Sequence, residues 1–190
     1  MRIRSKVLSR PTQETNRFCQ VTKNKRITFN EMDESKTILL AQKISMVLSG
    51  GDSLLLSGEI GTGKTFFARS LIQEHISNCG GQIEDIPSPS FTIVQLYDHI
   101  TPPVWHVDLY RVDCSDELQE LGLDEAYYSD IVLIEWPEKL GLYMPKRFLS
   151  ITFEHEETRH EFRKITLETS GPNWGWLFNT LRPSGSKKKL

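Results

Sequence analysis

Apolar and polar positions along this chain follow two rhythms. Period-two alternation or a short apolar run marks a strand, and apolar residues three and four apart mark a helix. Arg26-Ile-Thr-Phe-Asn30 alternates and predicts a short strand, with Asn30 placed to cap the next helix and Asp33 to favour its positive end. Residues 32–48 set Ile38, Leu39, Ala41, Ile44, Val47 and Leu48 at helical spacing and stop at Gly50-Gly51. Ser53-Leu-Leu-Leu-Ser57 is a short apolar run, which fits a strand buried on both faces. A loop over 58–63 leads to a helix over 64–77, with Phe67, Leu71, Ile72 and Ile76 inward. Phe91–Tyr97 and Val104–Tyr110 are strand-like and flank a Thr101-Pro102-Pro103 turn. Asp116–Leu121 predicts a short helix and Ile131–Ile134 a second buried strand. Phe148–Glu154 and Phe162–Glu168 alternate around a charged turn and predict a hairpin, and Trp174–Leu181 a last helix. Strands interleaved with helices, then a hairpin, imply an α/β fold with three layers, α/β/α, around a mixed sheet with antiparallel additions.

Composition changes this picture little. The 190 residues are 38% hydrophobic and 25% charged, a globular balance sufficient for one core. No apolar run approaches the roughly 18 residues of a membrane span, so no membrane association is expected. Net charge is −2, which excludes an overall basic, nucleic-acid-binding character. Three cysteines, Cys19, Cys79 and Cys114, form no CxxC pair, which argues against a disulfide framework or zinc site and for a reducing, cytoplasmic setting. Charge is uneven, however. Residues 1–30 carry eight basic side chains against Glu14 alone. A transit peptide is one reading; Pro11 and the scarcity of apolar residues favour a disordered basic extension over 1–25. No long apolar segment suggests a secretory signal. Residues 183–190 read as a solvated tail, leaving 26–182 as the folded domain.

The chemistry concentrates in Gly58-Glu59-Ile60-Gly61-Thr62-Gly63-Lys64-Thr65, a full G-x-x-x-x-G-K-[ST] match between an apolar strand and an amphipathic helix. Glycines let successive N–H groups turn toward phosphate oxygens, and the helix start adds partial positive charge. Lys64 then reaches the β- and γ-phosphates, and the Thr65 hydroxyl ligates Mg²⁺. The bland alternative is a Gly-rich turn with a chance Lys-Thr.

A phosphate loop needs a second metal partner and a group for the nucleophile. Glu135 follows the buried strand 131–134, where an acid can hold Mg²⁺ directly or through water; an ordinary strand-end acid is the alternative. Asp108 interrupts an apolar strand, which is costly unless the carboxylate is paired or functional. It is a candidate to orient or deprotonate water, and the alternative is an ion pair with Arg111. Ser88-Pro-Ser90-Phe-Thr92 is a candidate switch loop or a plain Pro-containing turn. Other motifs fail. The histidines of His155-Glu-Glu-Thr-Arg-His160 are five apart, not four, and no N-K-x-D segment supports a GTPase. His75, His99 and His106 show no acid or cysteine at ligand spacing. Trp136, Trp174 and Trp176 read as packing residues.

Together, Gly58–Thr65, Ser88-Pro-Ser-Phe-Thr92, His106-Val-Asp-Leu-Tyr-Arg111, Glu117-Leu with Glu120-Leu-Gly122, and Ile134-Glu-Trp-Pro-Glu138 resemble the TsaE (YjeE) family of small bacterial P-loop ATPases, over about residues 27–170. The resemblance implies ATP and Mg²⁺ as cofactors and a role in the threonylcarbamoyl modification of the adenosine next to the tRNA anticodon. It implies action on a TsaB–TsaD complex, with tRNA met through that complex, and not the transferase reaction itself. It places nucleotide on Gly58 through Phe66, metal at Thr65 and Glu135, and hydrolysis at Asp108. It raises Trp136 to a nucleotide-binding residue and brings Glu34 and Thr37, on the first helix, near the base. The switch reads Ser-Pro-Ser where the family usually has Ser-Pro-Thr; Ser90 keeps the hydroxyl. The basic extension is absent from typical members. Two other classes stay open: a P-loop small-molecule kinase, and a nucleotide-gated binding module with little turnover.

Overall fold

The computed structural model describes residues 25–113 and 115–181. In chain order the elements are β1 (Arg26–Met32), α1 (Glu34–Ser45), β2 (Ser53–Ser57), α2 (Lys64–Asn78), β3 (Val94–Tyr97), β4 (Val104–Asp108), α3 (Ser115–Glu120), α4 (Leu123–Ser129), β5 (Ile131–Glu135), β6 (Phe148–His155), β7 (Arg163–Ser170) and α5 (Gly175–Leu181). The strands form one seven-stranded sheet in the order β1-β7-β6-β2-β5-β4-β3. β6, β2, β5 and β4 run parallel, and β3 at one edge and β7-β1 at the other are antiparallel. This is the expected mixed sheet with antiparallel additions.

Strand alternation sorts the core into two layers. Leu54 and Leu56 of β2 and Ile131 and Leu133 of β5 pack with α1, α2 and α5. Leu55, Val132 and Ile134 point the other way and pack with Leu118 of α3 and Leu123 and Ala126 of α4. The middle of a strand that feeds two cores has no solvent side, which is why Leu54–Leu56 of β2 and Ile131–Ile134 of β5 read as unbroken apolar runs. All four apolar positions assigned inward on α2 are fully buried, and the Phe67 ring meets Phe153 of β6 edge-on at 5.5 Å. Deleting either ring would cost about 3–5 kcal/mol, because the surrounding sheet and helix cannot close the gap.

Several expectations need correction. Asp33, not Asn30, caps α1, its carboxylate accepting from the Lys36 amide at 2.8 Å. Asn30 stays in β1, which extends to Met32 through an irregularity where Glu31 adopts φ 51°. On α1, Leu39 faces solvent and Thr37 and Leu40 take the buried places, so the inward stripe is rotated from the predicted one. β3 begins at Val94 rather than Phe91, because Ile93 turns to φ 65° and its amide donates to Pro89 O. β4 stops at Asp108, two residues early. α4 was not expected; with only two buried residues after Gly122, it leaves too weak a period to read. The basic extension and the tail fall outside the described residues, except Lys25. No helix among the described residues is long and apolar enough to cross a membrane.

Candidate functional site: a phosphate loop with two strand-end carboxylates

The loop between β2 and α2 is held open by its own contacts. Thr62, buried, donates its hydroxyl to Glu59 O at 2.8 Å and pins the turn. Gly58 runs at φ 142° so close to β6 that a Cβ there would lie 2.4 Å from Phe153 O. Gly61 and Gly63 have φ 78° and 105°, and a Cβ on either would meet nothing within 4 Å. Their amides find no acceptor among the described residues. They border open space at the start of α2, where unpaired N–H groups and the helix dipole favour an anion. Across the loop, Arg163 at the start of β7 donates to Thr62 O at 3.2 Å and also to His160 O and Phe162 O.

Lys64 opens α2 with only 5% of its surface exposed. Its ammonium donates to Gly58 O at 2.8 Å and Glu59 O at 2.9 Å and sits 3.9 Å from the centre of the Trp136 ring. Burial lowers its pKa, and the charges of Glu135, Asp108 and Glu138 oppose that shift. Trp136 follows β5 in a left-handed conformation, φ 60°, which aims its ring at Lys64 and against Tyr110, 5.0 Å away.

The parallel pairing of β4 and β5 sets Asp108 beside Glu135 at the strand ends that face the loop. Thr65, one residue into α2, donates its hydroxyl to Glu135 Oε2 at 2.8 Å. Asp108 accepts from the Ser90 hydroxyl at 2.6 Å and from the Tyr110 amide at 3.0 Å. Ser90 has spent its one proton on Asp108, so Ser88, 2.8 Å away, is the donor in the Ser88–Ser90 contact. The segment 88–90 is thereby tied to the β4 carboxylate. Arg111, offered by the sequence as the Asp108 partner, instead stacks its guanidinium over Phe91, 4.1 Å from the ring centre.

Loop, Lys64, Thr65, Glu135, Asp108, Trp136, Ser88 and Ser90 are thus brought into one cluster by three strand ends and one helix start. Glu59 contributes through its carbonyl, Ile60 is 69% exposed at the loop tip, and Phe66 is half-buried on α2. Thr92 is exposed and outside the cluster. Glu34 is exposed too, and the Thr37 hydroxyl donates to Asp33 O at 2.7 Å; neither bonds to the loop among the described residues.

Comparison with known proteins places the chain in a family. A family model described as threonylcarbamoyl adenosine biosynthesis protein TsaE matches residues 31–165. The chain belongs to the TsaE family. Rickettsia conorii tRNA threonylcarbamoyladenosine biosynthesis protein TsaE is 33% identical over 177 residues, covering 86% of this chain and 98% of that protein. The Bacillus subtilis protein of the same name is 28% identical over 158 residues, covering 83% and 94%. The crystal structure of Bacillus subtilis YdiB superimposes with a TM-score of 0.66 at 25% identity, covering 83% of this chain and 95% of that one. The three-layer α/β fold of P-loop NTPases expected from the sequence is therefore the fold of this family member.

One residue at the site escaped the sequence. His106, assigned no acid partner, lies fully buried with Nε2 2.9 Å from Glu135 Oε1. Spacing could not reveal it, since 29 residues separate the pair. A usable signal was its alternation with Asp108 on one face of β4, beside a strand ending in an acid.

Proposed function

We propose that this protein binds ATP with Mg²⁺ at the loop 58–65 and hydrolyses it in support of threonylcarbamoyl transfer to tRNA by a TsaB–TsaD complex in the cytoplasm. The observation that carries the reading is the Thr65–Glu135 contact at the mouth of an open, amide-lined phosphate loop. The donor set suits the cation. Mg²⁺ prefers hard oxygen ligands and takes few of them from protein when phosphates supply others. One hydroxyl and one carboxylate, with no cluster of three His, Cys, Asp or Glu among the described residues, match that habit. When bound, the cation would neutralise phosphate charge; Thr65 would ligate it and Glu135 hold the other side of the Thr65 hydroxyl.

The remaining roles follow from the chain's own groups. Amides of the loop and the α2 start bind the phosphates, and Lys64 exchanges two carbonyls and a ring for phosphate oxygens. That exchange is favourable because a charge-assisted contact replaces neutral ones. Asp108, ionised and accepting only, orients a water, while Ser88 and Ser90 carry the phosphate state into the switch segment. Trp136 closes one wall of the pocket; Glu34 and Thr37 lie on the helix proposed to flank the base. Calorimetric titration of ATP with Mg²⁺ tests the reading. The wild type should bind, and Lys64→Ala should lose at least about tenfold in affinity. Unchanged binding by that variant, or preference for GTP, overturns it. Rapid phosphate transfer to a small metabolite would instead establish the kinase reading.

A further inference from the structure

A carboxylate that supports a metal site must hold one orientation, and Glu135 is gripped on both oxygens. Oε2 accepts from Thr65 at 2.8 Å, and Oε1 lies 2.9 Å from His106 Nε2. We propose that His106 is a positioning residue for Glu135, its Nε2–H locking the carboxylate so that Oε2 stays on the Thr65 side of the nucleotide site. The inference rests on the reading of that site as one for nucleotide and Mg²⁺.

The tautomer follows from donor and acceptor counting. The ionised carboxylate only accepts, so the shared proton belongs to His106 Nε2. Nδ1 is buried without a partner among the described residues, and a proton there would be a stranded donor. The ring is thus an Nε2–H imidazole with bare Nδ1. Its place is fixed by the sheet: β4 points Val104, His106 and Asp108 toward the α2 layer, where Val104 joins the core. Two turns of alternation therefore deliver both the support for Glu135 and the neighbouring carboxylate. His106 pairs in register with core residue Leu133, and its same-face neighbour Val104 pairs with Ile131, so a residue with a packing role alone could be apolar here. Outer partners that orient a metal-side carboxylate commonly change metal affinity by about 10–100-fold.

The test compares full-length wild type with His106→Leu, His106→Gln and His106→Asn. ATP affinity is measured by calorimetry in EDTA and in Mg²⁺, and Mn²⁺ binding to the ATP complex by electron paramagnetic resonance. His106→Leu should leave affinity in EDTA within about twofold and lose about tenfold or more of the gain from the divalent ion. His106→Gln, whose amide N–H reaches toward Glu135, should restore most of that gain; His106→Asn, which stops short, should not. If His106→Leu fails to fold by circular dichroism, the Gln and Asn pair decides. A full Mg²⁺ gain in His106→Leu, or equal gains in Gln and Asn, overturns the proposal, as does a ¹⁵N imidazole spectrum of the wild type showing the Nδ1–H tautomer. Absence of any Mg²⁺ gain in the wild type sinks the nucleotide reading instead, so the two failures are told apart.

Discussion

Asp108 shows how a side chain that is costly to bury can stand where the proposed chemistry needs a carboxylate. It is 4% exposed at the end of a strand, and two donors, Ser90 Oγ and the Tyr110 amide, offset its burial. Asp108→Asn keeps the shape: its one oxygen can still accept from the Tyr110 amide, and its NH2 then faces Ser90, whose hydroxyl can turn to accept. The variant cannot take a proton or hold water as an ion. ATP affinity should therefore stay within a few-fold of wild type while turnover falls by about 10²–10⁴, the range of a lost general base. Steady-state phosphate release together with calorimetry separates the two effects, and a wild-type rate in Asp108→Asn would remove Asp108 from the chemistry. Lys64 is the complementary case. In the free protein its ammonium is satisfied by its own loop and by Trp136, so the loop is preformed and its lysine already held close by.

At the scale of elements, the β2–α2 loop depends on glycine for two different reasons. At Gly58 the obstacle is the neighbouring strand, with Phe153 O 2.4 Å from any added Cβ; at Gly61 it is φ alone. Gly58→Ala should destabilise the fold by about 3 kcal/mol or more, adding overpacking to backbone strain. Gly61→Ala should cost about 1–2 kcal/mol. Urea unfolding of the two variants measures the contrast, and equal losses would refute it. The edge hairpin β3–β4 carries a different signature. Tyr97 is buried, its hydroxyl has no hydrogen-bond partner among the described residues, and desolvation by burial raises its pKa to about 12. The folded state thus prefers the neutral phenol, so stability is intact below pH 10 and declines between pH 10 and about 12, as the unfolded chain ionises first. Tyr127, half-buried and donating its hydroxyl to Tyr143 O, shifts in the same direction, again through desolvation first. Tyr97→Phe should lessen the loss across that window when unfolding is followed against pH.

At the scale of the molecule, the arginines decide how much rate this chain can supply alone. Arg163 is occupied by three loop carbonyls, Arg111 lies on the Phe91 ring, and Arg69 has its Nε buried on α2. Among the described residues none of the three bonds to Lys64, Thr65, Asp108 or Glu135, and charge stabilisers supplied in trans can raise phosphoryl transfer by orders of magnitude. The purified protein should therefore turn ATP over slowly, with a rise of at least about tenfold when TsaB–TsaD and tRNA are added. Phosphate release under both conditions measures this; equal rates would point to a self-sufficient enzyme. Phe91, 80% exposed, places an apolar group at the surface beside Ser90.

What the sequence by itself determined is what lies within a few consecutive residues or within one element's period. The phosphate loop is legible because eight adjacent residues hold all its glycines, its lysine and its threonine, and the backbone turns they allow are local. β2 and β5 are legible because core on both sides leaves their central residues, Leu54–Leu56 and Ile131–Ile134, no solvent-facing position. Which strand lies beside which is another matter, since alternation assigns a face and not a neighbour. Only the sheet order brings Thr65 to Glu135 across 70 positions and Ser90 to Asp108 across 18. The same packing gave His106 its acid and took Arg111 from the one expected for it. Strand ends and caps were also decided late, by Ile93 turning out of β3 and Asp33 displacing Asn30, because a terminus settles on whichever nearby group satisfies its open hydrogen bonds.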